Sequence, residues 1–128
     1  MQEEIERALS TLFRSKIAVV GCGRTDTGVH ASYFVLHWDV TTELSPSSIV
    51  YKLNAILPWD IAFHEVIPVT EDFHARFSAN KRSYQYYIYQ DKKPFLKDRS
   101  MAVWKNLNMD KMNEAAKDFL GSQDFSSM

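Results

Sequence analysis

The sequence predicts a small α+β fold in which helices cover one face of an antiparallel sheet. Three segments carry apolar residues at the spacing of an amphipathic helix, and segments between them alternate apolar and polar residues as strands do. The predicted order is helix, strand, strand, helix, strand, and then a further strand and a third helix. Apolar residues make up 45% of the 128 residues, enough for one buried core.

The first three elements are predicted from apolar periodicity. An opening helix is expected over residues 3–14, and a buried strand over the apolar run 17–20. Residues 32–40 alternate, which predicts a strand with one apolar face. The apolar positions are Ile5, Ala8, Leu9, Leu12 and Phe13 in the helix and Phe34, Leu36, Trp38 and Val40 in the second strand.

The second helix has local start and stop signals. Ser45 is predicted to cap it, with Pro46 at its first position and Pro58 after its end. Its core-facing residues are Ile49, Leu53, Ile56 and Leu57.

Two further strands are predicted after this helix, and the sequence is compatible with a short additional one before the third helix. Residues 60–69 predict a strand with Ile61 and Phe63 on one face. The tyrosine-rich residues 82–90 alternate and predict another, and residues 101–104 fit a short third strand.

The last predicted helix begins after a cap at Asn108 and ends at Gly121. Its apolar stripe, which we expect to pack on the sheet, consists of Met109, Met112, Ala115, Ala116 and Phe119. In α+β layouts of this kind a strand usually precedes the opening helix. The sequence therefore predicts one domain, residues 1–128, organised as a ferredoxin-like or RRM-like βαββαβ-type unit with its first strand missing.

A glycine loop, residues 21–31, joins the first two predicted strands and carries the candidate chemistry. Its glycines let the backbone adopt dihedral angles closed to other residues and approach a ligand closely. Arg24 and Asp26 lie two positions apart, so in an extended segment their side chains project to the same side and can pair. A neighbouring cation keeps a carboxylate ionised, as a nucleophile or general base requires.

Other interpretations of this loop are partly excluded. The dinucleotide-binding fingerprint needs an earlier third glycine and a following helix, and a P-loop needs Gly-Lys-Ser or Gly-Lys-Thr; neither pattern occurs. Asp26 as the cap of a tight turn stays open as an alternative to a catalytic acid. Cys22 is interpreted as a small residue fitted into a crowded turn.

Charge is unevenly distributed along the chain. Residues 74–105 hold 8 Lys and Arg against 2 Asp and Glu, a net of +6, whereas residues 1–73 hold 5 against 10, a net of −5. A basic segment on a mildly acidic chain is typical of contact with a polyanion, and a basic solvated face is the alternative. The four histidines lack metal-ligand spacing, and a single cysteine suits a reducing cytoplasm.

Two segments resemble a known family. The loop sequence Gly-Arg-Thr-Asp-Thr-Gly-Val-His-Ala, residues 23–31, closely resembles the active-site motif of the TruA family of tRNA pseudouridine synthases. A second motif, residues 73–86, resembles the next motif of that family at the expected distance. The resemblance extends from the opening helix to residues 124–127. It implies the pseudouridine synthase fold and an internal fragment that covers most of the N-terminal half of a two-half enzyme.

The resemblance also implies roles for individual residues. Asp26 is then the catalytic carboxylate, which either attacks the sugar or abstracts a proton. Arg24 keeps it ionised and occupies the space that the flipped base vacates. Tyr84 packs on the flipped uracil. The phosphate contacts are Arg76, Lys81 and Arg82, and the reaction uses no cofactor and no metal.

The implied substrate is uridine at positions 38–40 in the anticodon arm of tRNA. The full-length protein is then expected to be a cytoplasmic homodimer without membrane contact, and the fragment alone to be inactive because its cleft is incomplete. The rival functions are a non-catalytic RNA-binding module and a nucleotide-phosphate-binding enzyme. A carboxylate at the centre of the loop repels phosphate, which disfavours both rivals.

Overall fold

The computed structural model describes residues 1–120, which contain three helices and four short strands. The chain divides into two compact units, one covering Met1–Ser83 and the other beginning at Tyr84. The first unit holds α1 (Gln2–Phe13), β1 (Val20–Gly21), β2 (Leu36–His37) and α2 (Pro46–Ile56), and the second holds β3 (Ile88–Tyr89), β4 (Met101–Ala102) and α3 (Met109–Leu120). Each unit mixes helices and strands, which confirms the predicted α+β class; a single domain stays a prediction.

The core of the first unit lies between α1, α2 and the chain that leads into β1. Leu9 and Leu53 are fully buried, one from each helix. The buried cluster consists of Ile5, Ala8, Leu9, Ile17, Val19, Ile49, Leu53 and Leu57. All of these belong to the predicted apolar stripes and the predicted buried strand, because burial of one helical face requires the spacing seen in the sequence.

The start of α2 is confirmed in detail. Pro46 is the first helical residue, and the Ser45 hydroxyl accepts a hydrogen bond from the Ser48 backbone N–H at 3.3 Å. This bond satisfies one of the donors that a helix start leaves unpaired. The helix ends at Ile56, before the predicted stop at Pro58.

The first two predicted strands are present, but their ladder is short. Val20 pairs with His37 and Gly21 with Leu36 in an antiparallel arrangement, and the Cys22 N–H donates to the Val35 carbonyl at 2.8 Å. Residues 17–19 were predicted to belong to the strand. Instead, the N–H groups of Ile17 and Val19 donate to side chains of α1.

These bonds to α1 explain why the ladder begins only at Val20. The Ile17 N–H donates to the Ser10 hydroxyl at 3.0 Å, and the Val19 N–H donates to the Glu6 carboxylate at 3.1 Å. The helix thus takes over the hydrogen bonds that a neighbouring strand would otherwise supply.

The prediction of a strand over residues 60–69 is wrong, since this segment pairs with no other strand among residues 1–120. The Asn54 side chain instead binds both backbone groups of Phe63, at 2.7 Å from the N–H and 2.8 Å to the carbonyl. The predicted inner face is confirmed, because Ile61 and Phe63 pack against the core. A side-chain amide here performs the role of a strand partner.

The sheet of the second unit differs from the prediction. Ile88 pairs with Met101 and Tyr89 with Ala102 in a parallel arrangement, so the single antiparallel sheet expected from the sequence is not what this unit contains. The connection includes a 3-10 turn, Pro94–Leu96, and carries the chain back before β4 begins. Parallel pairing requires such a crossover, and alternation within a strand does not reveal its direction.

The predicted start of α3 is confirmed, whereas the predicted burial of its apolar face is wrong. The Asn108 side chain accepts from the Lys111 N–H at 3.0 Å, as predicted for a cap. The predicted core stripe is exposed, however, with 59% of Met109 and 53% of Phe119 accessible. A ladder of two residue pairs offers too little apolar surface to bury such a stripe. The predicted stop at Gly121 and the family segment 124–127 lie outside the described residues.

The helices within residues 1–120 include none that is both long enough and apolar enough to span a membrane.

The bonds around Glu6 predict a pH-dependent stability. Its carboxylate accepts from the Gln2 side chain at 2.9 Å and from the Val19 N–H, and these bonds, with Lys16 nearby, lower the pKa of Glu6 below its ordinary 4.5. A lowered pKa contributes stability that is present above the ordinary value and lost as the pH falls through the folded-state value. Glu6→Gln should therefore be less stable than wild type at neutral pH and converge with it in acid.

Urea unfolding at pH 7 and at pH about 3 measures this difference. Glu3→Gln, an exposed change on the same helix, is the control and should show no such convergence. A Glu6→Gln deficit of equal size at both pH values would contradict the assignment.

Candidate active site

The glycine loop follows β1 and closes on a tight turn. The Val29 N–H donates to the Asp26 carbonyl at 3.3 Å, and Gly28, the third residue of this turn, has a φ of 87°. A positive φ at that position is the requirement of a type II turn, and glycine meets it without strain. The turn presents Asp26 at its first position.

Gly21 is required for a different reason. A Cβ atom at this position would lie 2.8 Å from the ring of Phe34. Glycine therefore lets the end of β1 pass close to that aromatic ring. A Cβ atom at Gly23 would fit without a clash, since the nearest atom to it would belong to the Arg82 side chain at 3.5 Å.

The Asp26 carboxylate is exposed and unengaged. Its backbone carbonyl closes the turn, whereas its side chain makes no hydrogen bond or ion pair with any other residue in 1–120. Asp26 therefore does begin a tight turn, as the alternative interpretation expected, and its carboxylate takes no part in the hydrogen bond that closes that turn. A carboxylate held on a fixed turn and open to solvent is available to a ligand.

The predicted pairing of Arg24 with Asp26 is wrong. The single ion pair of the described chain joins Arg7 to Glu4 at 2.7 Å, and both loop side chains are exposed. Two residues along an extended chain span about 6.5 Å, so side chains on the same side need not touch. In water, an exposed pair gains only about 0–1 kcal/mol, too little to force closure.

Residues 73–82 of the second motif lie against the glycine loop and β2. The N–H of Ala75, a buried residue, donates to Nδ1 of His37 at 3.1 Å. Arg82 donates through Nε and Nη2 to the Cys22 carbonyl at 3.0 and 2.6 Å, and Nη2 also reaches the Arg76 carbonyl at 3.0 Å. The glycine loop and residues 73–82, which are far apart in sequence, thus form one surface.

Hydrogen bonds and ring contacts hold the turn in the second motif. His74 and Ser78 bind each other through the Ser78 N–H at 2.8 Å and the Ser78 hydroxyl at 3.2 Å, and the Phe77 ring stacks on His74 with centroids 4.2 Å apart. The His74 ring in turn meets His37 edge-on at 4.9 Å. Sequence analysis did not assign a role to His37, although a histidine between apolar strand residues was a usable signal.

The predicted phosphate contacts occupy different situations. The side chains of Arg76 and Lys81 are exposed and make no hydrogen bond within the described chain. Arg82, in contrast, donates three of its five side-chain N–H groups to backbone carbonyls. Tyr84 is the first residue of the second unit, and 65% of it is exposed. Substrate contact by these residues stays a prediction.

Two surface cavities lie in the first unit. A cleft of about 290 Å³ adjoins the loop and is lined by Arg24, Thr25, Phe34 and neighbouring residues. A groove of about 750 Å³ lies between α2 and residues 64–66 and contains none of the motif residues. The smaller cleft is therefore the one relevant to the loop, and Asp26 is not among its lining residues.

Comparison with known proteins identifies relatives of this chain. No protein-family model matches it. Curated proteins named tRNA pseudouridine synthase A do match: that of Bacillus subtilis is 44% identical over 131 residues, and that of Bacteroides thetaiotaomicron is 42% identical over 127 residues, each covering 99% of this chain. The shares of those relatives covered are 53% and 47%, so the chain spans about half the length of the curated relatives it matches.

The turn geometry predicts unequal effects of two alanine substitutions. Gly28→Ala places a side chain at positive φ, which costs about 1–2 kcal/mol. Gly23→Ala meets no atom closer than 3.5 Å and should change the free energy of unfolding by less than about 0.5 kcal/mol. Urea denaturation of the two variants measures this difference, and equal losses would contradict the turn assignment.

Proposed function

Because this chain belongs, over 99% of its length, to the family of the tRNA pseudouridine synthases A, we propose that it forms part of an enzyme converting uridine to pseudouridine in tRNA. The observation that carries this proposal is the identity of 39–44% with eight such relatives, over stretches that cover 91–99% of this chain. The exposed, unengaged carboxylate of Asp26 on a fixed turn supports it. We propose for the whole protein the pseudouridine synthase fold, a homodimeric state and a cytoplasmic location.

The proposed reaction is an isomerisation in which no atom is gained or lost overall. The N1–C1′ bond of the target uridine breaks, the base turns, and a C5–C1′ bond forms while the C5 proton is lost and N1 gains one. Asp26 acts as nucleophile at the sugar or as base toward a sugar proton, and both routes need its ionised form.

Arg24 is proposed to act on the RNA rather than on Asp26. Its guanidinium is exposed, is not paired with Asp26 and borders the cleft beside the loop. A planar cation can enter the space that a flipped base leaves in the stack and bind the neighbouring phosphates.

The basic segment supplies the proposed tRNA contacts. Residues 74–105 carry a net charge of +6, and the exposed Arg76 and Lys81 of this segment are proposed to bind phosphates. Tyr84 is proposed to stack on the target uracil, since its ring is exposed and its hydroxyl makes no hydrogen bond among residues 1–120.

Asp26→Asn tests the catalytic assignment in the full-length protein. The substitution keeps shape and removes charge, so release of tritium from C5-labelled uridine in tRNA should be abolished while tRNA binding survives. Asp39→Asn, the same change at an exposed aspartate outside the loop, is the control and should keep both.

Turnover of Asp26→Asn within tenfold of wild type, a change below about 1.4 kcal/mol in barrier, would remove Asp26 from the chemistry. Binding by wild type without any tritium release would favour the RNA-binding module instead.

Tyr84 provides a second test through its ring. Tyr84→Phe should retain most of the turnover because the stacking face is kept, whereas Tyr84→Ala should lose stacking worth about 1–3 kcal/mol. Tyr86→Ala removes another exposed ring two residues away and serves as the matched control. Equal severe losses in Tyr84→Phe and Tyr84→Ala would assign the role to the hydroxyl.

A further inference from the structure

Arg82 joins the two motifs, and we propose that it is a positioning residue that holds the glycine loop for Asp26. Its Nε and Nη2 donate to the Cys22 carbonyl at 3.0 and 2.6 Å, and Nη2 also donates to the Arg76 carbonyl at 3.0 Å. The guanidinium therefore bridges the backbone of the loop and the backbone of the second motif. The structural part of this inference stands alone; its catalytic part rests on the proposed function.

Both backbone groups of Cys22 are held by partners from elsewhere in the chain. Its N–H donates to the Val35 carbonyl at 2.8 Å, and its carbonyl accepts the two bonds from Arg82. This fixes the peptide orientation at the point where the chain leaves β1. The next backbone bond along the loop is the turn between Asp26 and Val29. Arg82 thus sets the direction in which the loop approaches Asp26.

The chemistry of this contact requires arginine. The Nε–Nη2 edge of a planar guanidinium can donate two converging bonds to one oxygen, and the second N–H of Nη2 can donate to another. A lysine ammonium has a single nitrogen and cannot reproduce that edge. Lys81 carries the same charge one residue earlier and makes no hydrogen bond within the described chain, so charge alone does not create the bridge.

The proposed consequence of the Arg82 bridge is that the Asp26 carboxylate is held in a precise position. Arg24 and Thr25 lie in the exposed middle of the loop, so its order depends on how its ends are held. A displacement of about 1 Å in a reacting group can cost a hundredfold in rate. Loss of the bridge should therefore reduce turnover more than it reduces tRNA affinity, whereas loss of a phosphate contact should do the reverse.

The first experiment uses Cys22, the single cysteine of the sequence, as a reporter that needs no activity. The rate of native-state alkylation by N-ethylmaleimide is measured for wild type, Arg82→Lys, Arg82→Gln and the control Lys81→Gln, with circular dichroism to verify folding. Both Arg82 variants should react about tenfold faster, as expected when the loop opens more often. Lys81→Gln should react at the wild-type rate; unchanged rates in both Arg82 variants would overturn the proposal.

A wild-type measurement covers the case in which the variants do not fold. In NMR hydrogen exchange, the Nε–H of Arg82 should exchange more slowly than that of Arg76, whose side chain makes no hydrogen bond in the described chain. Equal exchange rates of the two Nε–H groups would also overturn the proposal.

The second experiment separates positioning from phosphate binding in the full-length protein. Arg82→Lys keeps the charge, so turnover should fall about tenfold while the Kd for tRNA stays within about twofold. Wild-type turnover in Arg82→Lys, with weakened tRNA binding in Arg82→Gln, would identify Arg82 as a phosphate contact instead. If wild type itself shows no turnover, the proposed function fails, and the alkylation and exchange rates still decide the positioning of the loop.

Discussion

The structure depends on one constraint, that extended backbone must be hydrogen-bonded although its strand ladders are only two residues long. Side chains supply the missing partners in the first unit. A helix carboxylate and hydroxyl bind the chain before β1, an amide binds the chain after α2, an imidazole binds the second motif, and a guanidinium of that motif binds the glycine loop. These side chains are Glu6, Ser10, Asn54, His37 and Arg82. Each is charged or polar, and each replaces a bond that an adjacent strand would make.

This arrangement explains how an exposed loop can hold a reactive group in place. The core between α1 and α2 fixes the chain that enters β1, and the bonds on Cys22 and the turn at Gly28 fix the two ends of the loop. The middle of the loop, with Arg24 and Asp26, stays accessible. A site that acts on a polymer requires a loop with ordered ends and an accessible centre, because the substrate must approach from solvent.

In the second unit, the helix is formed and capped although its apolar face is not buried. Its helix is capped as a stable helix should be, yet its apolar stripe is exposed, and the tyrosines that precede β3 are exposed as well. Capping is a local property, whereas burial depends on how much surface the unit offers.

The sequence by itself determined the helices, the N-terminal caps of α2 and α3, the core stripes of α1 and α2, the glycine loop with Asp26 and the resemblance that the relatives confirm. These features are local, since periodicity and capping need only neighbours within a turn or two. Only the tertiary structure decided that Arg24 and Asp26 stay apart, that β3 and β4 run parallel, and that Arg82 binds the Cys22 carbonyl. Each of these depends on a distance or direction in space, and spacing along the chain does not fix either one.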